Sequence, residues 1–186
     1  CGWRNFFIMK IAIVDYGMGN IHSLKSALAY ISSSADIALV NDGKSLGEAD
    51  LIFLPGVGHF KAAMEALDSL GLAEMLKILV LDNKKPIMGI CLGMQLLFSN
   101  SSEGGFNPGL GFVGGKVRRI ADGLEKIPHI GFDTVNPPSH SLMFAEIDNP
   151  DFYFVHSYCV KDTDDNCVTT YCNYNNNFVA AIEKEH

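Results

Sequence analysis

Basic residues are scarce in this chain: 14 Lys and Arg stand against 21 Asp and Glu, a formal net charge of -7. A nucleic-acid partner requires a basic surface to neutralise phosphates. No cluster offsets the deficit, since Arg118-Arg119 is only a pair, and no such partner is expected. Long apolar runs are missing as well. None approaches the roughly 18 residues of a membrane span, so no membrane partner is expected. The cysteines lack a pattern. There are five, an odd number, with no C-x-x-C and with spacings that match neither a zinc site nor a small disulfide scaffold. Reduced thiols in a cytoplasmic protein are the expectation, with no metal and no other cofactor. Residues 1–8 are too short for a signal peptide and have no small-residue cleavage site. They read as an N-terminal extension or cloning remnant ahead of Met9, outside the fold.

What is present is the balance of a compact globular chain, 48% hydrophobic and 19% charged over 186 residues. Lys10 to Asp15 is a short β-branched apolar run, the mark of a buried parallel strand. Ile21, Leu24, Ala27, Leu28 and Ile31 recur at helical spacing. Strands are predicted at 37–40, 50–54 and 86–90, with helices at 60–81, broken near Gly71, and at 92–98. This alternation implies right-handed crossovers and an open α/β sheet with helices on both faces. The second half reads as strands at 112–120, 130–135, 152–160, 168–171 and 178–182, separated by Asn, Gly, Asp and Pro clusters. Asn173 to Asn177 reads as a loop. The fold class predicted is α/β: one domain over 9–186 with an open, mixed, mainly parallel sheet flanked by helices.

Gly89-Ile90-Cys91-Leu92-Gly93 carries the most chemistry. An apolar strand runs into Cys91, a helix follows, and glycine sits two residues to either side. That is a nucleophile elbow with Cys in place of Ser. Side chains flanking such a strained turn would clash unless they were hydrogens. The helix start offers unpaired N–H groups, and these are expected to favour thiolate over thiol. The Leu92 N–H lies close to any carbonyl that Cys91 attacks. Pro55-Gly56-Val57-Gly58 ends another strand at the carboxyl edge, where ligands collect in open α/β folds. It reads either as a second oxyanion donor through the Val57 N–H or as an ordinary βα turn. Gly17-Met18-Gly19 is no dinucleotide fingerprint, because the third glycine would fall at His22.

A cysteine nucleophile needs a base, and the six histidines are His22, His59, His129, His140, His156 and His186. His156, in a strand-like run, reads as structural, and His129 as a surface or interface residue. Periodicity does not choose among the six.

Five segments together resemble class I (triad-type) glutamine amidotransferases: KIAIVDYGMGNIHS at 10–23, LPGVGHF at 54–60, KPIMGICLGMQLLF at 85–98, KIPHIGF at 126–132 and FYFVHSYCV at 152–160. The resemblance extends from Met9 nearly to the last residue and implies a flavodoxin-like fold. It is narrowest to the glutaminase subunits of imidazole glycerol phosphate synthases, in histidine biosynthesis. It implies Cys91 as the nucleophile forming a thioester with glutamine, and Leu92 and Val57 as backbone oxyanion donors. Gly56, Gly58, Gln95, Ser157 and Tyr158 would contact the glutamine. Ammonia would pass to a (β/α)8-barrel synthase subunit in a heterodimer. A paralogous subunit for surface-sugar amination shares these motifs. A non-catalytic scaffold homologue is a further alternative. The family also carries His-Pro-Glu on a late strand, as the triad's base and its orienting acid, and this sequence contains none. The chain is expected to stop short of that segment and, as it stands, to be inactive. Phe132 occupies a position usually held by Trp.

Overall fold

The apolar run at the start of the fold forms β1 (Lys10–Val14), one of the two inner strands of a four-stranded parallel sheet. In the computed structural model, residues 8–120, 123, 126–163 and 166–185 are described. They fall into two compact units, Cys1–Leu96 and Leu97–His186. In the first, β1 leads into α1 (Ile21–Ile31), β2 (Asp36–Val40), α2 (Gly43–Gly47) and β3 (Leu51–Gly56). Then come α3 (Phe60–Ser69), α4 (Leu72–Lys77) with a π-helical turn at Ile78–Asp82, β4 (Ile87–Cys91) and α5 (Leu92–Leu96). The sheet order is β2-β1-β3-β4. Each connection between neighbouring strands passes through a helix, which parallel pairing requires.

Strand periodicity places the core. Ile11, Ile13 and Phe53 point to one face and pack with Ile21, Leu24 and Leu28 of α1. The alternate residues Ala12, Val14, Ile52 and Leu54 are buried on the other, where α5 packs against β3 and β4 and α3 packs against α5. Local caps set the helix starts. Asn20 Oδ1 accepts the Ser23 N–H at 3.3 Å, and Asp42 Oδ1 accepts that of Ser45 at 2.9 Å. The long helical stretch breaks at Gly71, whose φ of 68 is left-handed.

The second unit is strand-rich, as read from the sequence, and its strands form an eight-stranded, mostly antiparallel sheet. They are β5 (Phe98–Ser101), β6 (Asn107–Pro108), β7 (Val113–Arg119), β8 (His129–Asn136), β9 (Asp151–His156), β10 (Tyr158–Val160), β11 (Val168–Tyr174) and β12 (Asn176–Glu183). The order is β6-β5-β7-β10-β12-β11-β8-β9. Only β5 and β7 pair in parallel; the other pairs are antiparallel. The β11–β12 hairpin is closed by a short connection, which antiparallel pairing permits. The predicted loop at 173–177 is a tight turn on Asn175, with φ 57, and its flanks continue the ladder. Asn tolerates that conformation, so polarity here marked a turn and not the end of pairing. The helix predicted to Phe98 ends at Leu96, and Phe98 opens β5.

Ile13 is fully buried in the first unit. Ile13→Ala should cost about 2–5 kcal/mol through lost transfer energy and the cavity left behind. Leu142→Ala, at a site 81% exposed, should change stability by less than about 0.5 kcal/mol. Urea unfolding of the two variants checks the contrast.

Candidate active site

β3 and β4 end side by side, with Gly56 in register with Cys91. Cys91 has φ 56, a left-handed conformation that a non-glycine residue adopts only where its surroundings enforce it. The glycines show what enforces it. A Cβ on Gly93 would lie 1.7 Å from the Leu54 carbonyl oxygen, and one on Gly89 2.6 Å from the Met94 backbone. A Cβ on Gly56 would meet the Tyr16 hydroxyl at 2.7 Å and the Gly93 nitrogen at 2.9 Å. α5 therefore starts directly against the ends of β3 and β4, and the pattern read from the sequence has its steric cause.

Around Cys91 the first unit thus gathers Leu92, Gly56 and Tyr16. Val57 follows Gly56 and is 54% exposed. Gly58 has φ 105, and a Cβ there would meet the Met18 side chain at 3.1 Å. Gln95 is half-buried in α5. Ser157 and Tyr158 belong to the second unit, where Ser157 breaks the predicted strand 152–160 into β9 and β10 and accepts the Ile120 N–H at 2.9 Å.

The expectation of a thiol made more acidic by its helix does not hold. Burial pushes the Cys91 thiol above its ordinary value, and the Leu92 N–H, hydrogen-bonded to the sulfur, offsets this only in part. The side chain is exposed by surface area, yet the protein packed around the sulfur replaces enough water to dominate. α5 is also only five residues long, so few aligned peptide dipoles act on the site. Cys159 and Cys172 are buried, with both thiols pushed up to about 11 mainly by that burial. Tyr16, which the sequence reading passed over, is 4% exposed, and its hydroxyl donates to the Pro55 carbonyl at 2.8 Å. Its position in the motif DYGMGN was the available signal.

His129, expected at the surface, is 1% exposed. It stacks on Tyr174 at 3.8 Å between ring centroids because β8 turns it into the core. Its Nε2 meets Asp133 Oδ2 at 2.7 Å and its Nδ1 meets His156 Nε2 at 3.0 Å. His156 Nδ1 donates to the Tyr158 carbonyl at 2.9 Å, so both of its ring nitrogens are engaged, in keeping with a structural role. His59 caps α3 by accepting the Lys61 N–H at 3.2 Å. His22 lies in α1, His140 is exposed between β8 and β9, and His186 lies outside the described residues. Among the described residues no three His, Cys, Asp or Glu side chains converge to hold a metal. Nor is any described helix long and apolar enough to cross a membrane.

His156 is held below its ordinary pKa, chiefly by burial. Between that lowered value and the unfolded value near ~6.5, the unfolded chain binds more protons. Stability therefore falls as pH drops from neutral through this window. Denaturant midpoints should decrease from pH 7 to 5.5, and His156→Gln should flatten that slope whatever its stability at pH 7.

The family model for "Glutamine amidotransferase class-I" matches residues 12–186. The chain is 44% identical over 178 residues to "Imidazole glycerol phosphate synthase subunit HisH 1" of Campylobacter jejuni strain RM1221, covering 95% of this chain and 87% of that one. It is 36% identical to the chloroplastic "Imidazole glycerol phosphate synthase hisHF" of Arabidopsis thaliana, covering 94% of this chain and 29% of that longer one. Among solved structures, one titled "Crystal structure of glutamine amidotransferase" matches with TM-score 0.72 at 14% identity, covering 93% of this chain and 84% of that one. At that identity the likeness concerns the fold.

Proposed function

The chain belongs to the class-I glutamine amidotransferase family, and on that premise we propose that it is the glutaminase subunit of an imidazole glycerol phosphate synthase, at work in the cytoplasm. The observation that carries the chemistry is Cys91 in left-handed backbone at the end of β4, enclosed by glycines that let α5 abut β3. Cys91 Sγ attacks the side-chain carbon of glutamine. The oxygen, now negative, is met by the Leu92 and Val57 N–H groups, donors that act most strongly where charge develops. Gly56 and Gly58 give the turn around Val57 its freedom, and Gln95 of α5 contacts the glutamine. Collapse breaks the C–N bond, and ammonia leaves with the proton taken from the thiol. Water then cleaves the thioester to glutamate. Because burial raises the Cys91 thiol, the first step needs a base to remove that proton. The family places this base on a His-Pro-Glu segment absent from the sequence.

A glutamine-analogue electrophile should label Cys91 and nothing else, with labelling faster as pH rises and abolished in Cys91→Ser. Peptide mass spectrometry reads this, and label on Cys159 or Cys172 contradicts the assignment.

Ammonia made here passes to a (β/α)8-barrel synthase subunit. The relatives named as subunits support such a partner, as does the Arabidopsis chain, of which this sequence matches only a part. We assign the docking surface to the outer face of β8 and β9. There Ile130 pairs with Val155 and Phe132 with Tyr153. All four are more than half exposed, and the Phe132 and Tyr153 rings meet edge-on at 5.1 Å. Exposed, mutually packed aromatic and branched residues suit the centre of an interface. Tyr153→Asp should weaken association with the synthase by at least about tenfold by titration calorimetry and leave the melting temperature of the free chain nearly unchanged.

A further inference from the structure

β1 and β3 pair only as far as Ile13 and Phe53, so β3 runs on for three residues, Leu54, Pro55 and Gly56, past its last partner on that side. In a parallel strand the N–H and C=O of one residue point to the same side. Pro55 has no N–H, and its carbonyl faces the gap that opens where β1 ends. The Tyr16 hydroxyl fills this gap at 2.8 Å, reaching across 39 residues of sequence. The ring is 4% exposed, so no water replaces the donor readily. Tyr16 and Gly56 also interlock, since a Cβ on Gly56 would sit 2.7 Å from the hydroxyl oxygen. Burial, and then the charge of Cys91, raise the phenol's pKa. Tyr16 therefore keeps its proton and remains a donor throughout the neutral range.

We propose that Tyr16 is a positioning residue of this site: by holding the Pro55 carbonyl it fixes the turn Gly56-Val57-Gly58, and so the direction in which the Val57 N–H is offered beside Cys91. The physical reason is economy of rotation. A trans peptide is planar, so fixing the Pro55 carbonyl fixes the Gly56 N–H opposite it, and the turn that follows starts from a defined plane. Gly56 and Gly58 otherwise leave that turn unusually free. Tyr16 does not touch the reacting atoms. Its effect is carried by Pro55, and it deepens the glutaminase reading on which it rests.

The variant is Tyr16→Phe, which keeps the ring and removes the hydroxyl. With the protein extended through the family's His-Pro-Glu segment and bound to its synthase partner, kcat for glutamine should fall at least about tenfold while KM changes less than about twofold. That is the pattern of an interaction made only in the transition state, and loss of a whole oxyanion donor, on the order of 10²–10³, is its upper bound. Alkylation of Cys91 by iodoacetamide creates no oxyanion and should proceed at the parent rate. In the free chain, ¹⁵N relaxation should show lower order parameters at Gly56, Val57 and Gly58, with Leu28 in α1 unchanged. An unchanged kcat, or a matching drop in alkylation, overturns the proposal, as do unchanged order parameters in the turn. If the parent protein carrying a His-Pro-Glu segment fails, with its partner, to turn over glutamine, the glutaminase reading itself falls. The relaxation comparison then still decides whether Tyr16 holds the turn.

Discussion

The contact between Gly93 and the Leu54 carbonyl sets the geometry of the first unit. A hydrogen fits there and a methyl group does not, since a Cβ would stand 1.7 Å from the oxygen. With that approach allowed, α5 begins at the very end of β3. Cys91 must then turn through left-handed backbone to connect β4 to the helix, which leaves its side chain at the rim of the sheet. Gly89 passes under Met94 and Gly56 under Leu92 for the same reason. The cost of a non-glycine residue at positive φ is on the order of 1–3 kcal/mol, and it is offset by the buried packing of Leu92 and Leu96.

Electrostatics at this rim favour a resting thiol over a thiolate. One backbone N–H on the sulfur is a weaker influence than the loss of water around it. A cysteine in this state is protected from adventitious reaction and depends on a positioned base. Tyr16 belongs to the same balance. Its neutral hydroxyl spends its proton on a peptide carbonyl and adds no charge beside the nucleophile.

The second unit shows how one hairpin serves two environments. The period of two along β8 and β9 sends His129 and Phe154 inward and Ile130, Phe132, Tyr153 and Val155 outward. The inward face holds a polar chain in which Asp133, His129, His156 and the Tyr158 carbonyl are linked by hydrogen bonds. Polar groups so paired around the buried His129 fix register, because a slip of one residue would leave several of them unsatisfied. The outward face presents Ile130, Phe132, Tyr153 and Val155, with the Phe132 and Tyr153 rings packed edge-on.

Much of this was legible in the sequence because its causes are local. Apolar periodicity placed β1, α1 and the β3 strand, and the break at Gly71 fell where the left-handed backbone occurs. The two glycines around Cys91 announced a steric constraint that involves only a strand end and the helix after it. What the sequence did not decide depends on partners distant along the chain. The pairing of the later strands, the burial of His129 and the Tyr16–Pro55 bond each join residues brought together by folding. The direction of the Cys91 shift likewise depended on how much protein surrounds the sulfur. Motif and periodicity act through neighbouring bonds and could be read in order. Desolvation and long-range hydrogen bonding act through space, and only the tertiary structure could set them.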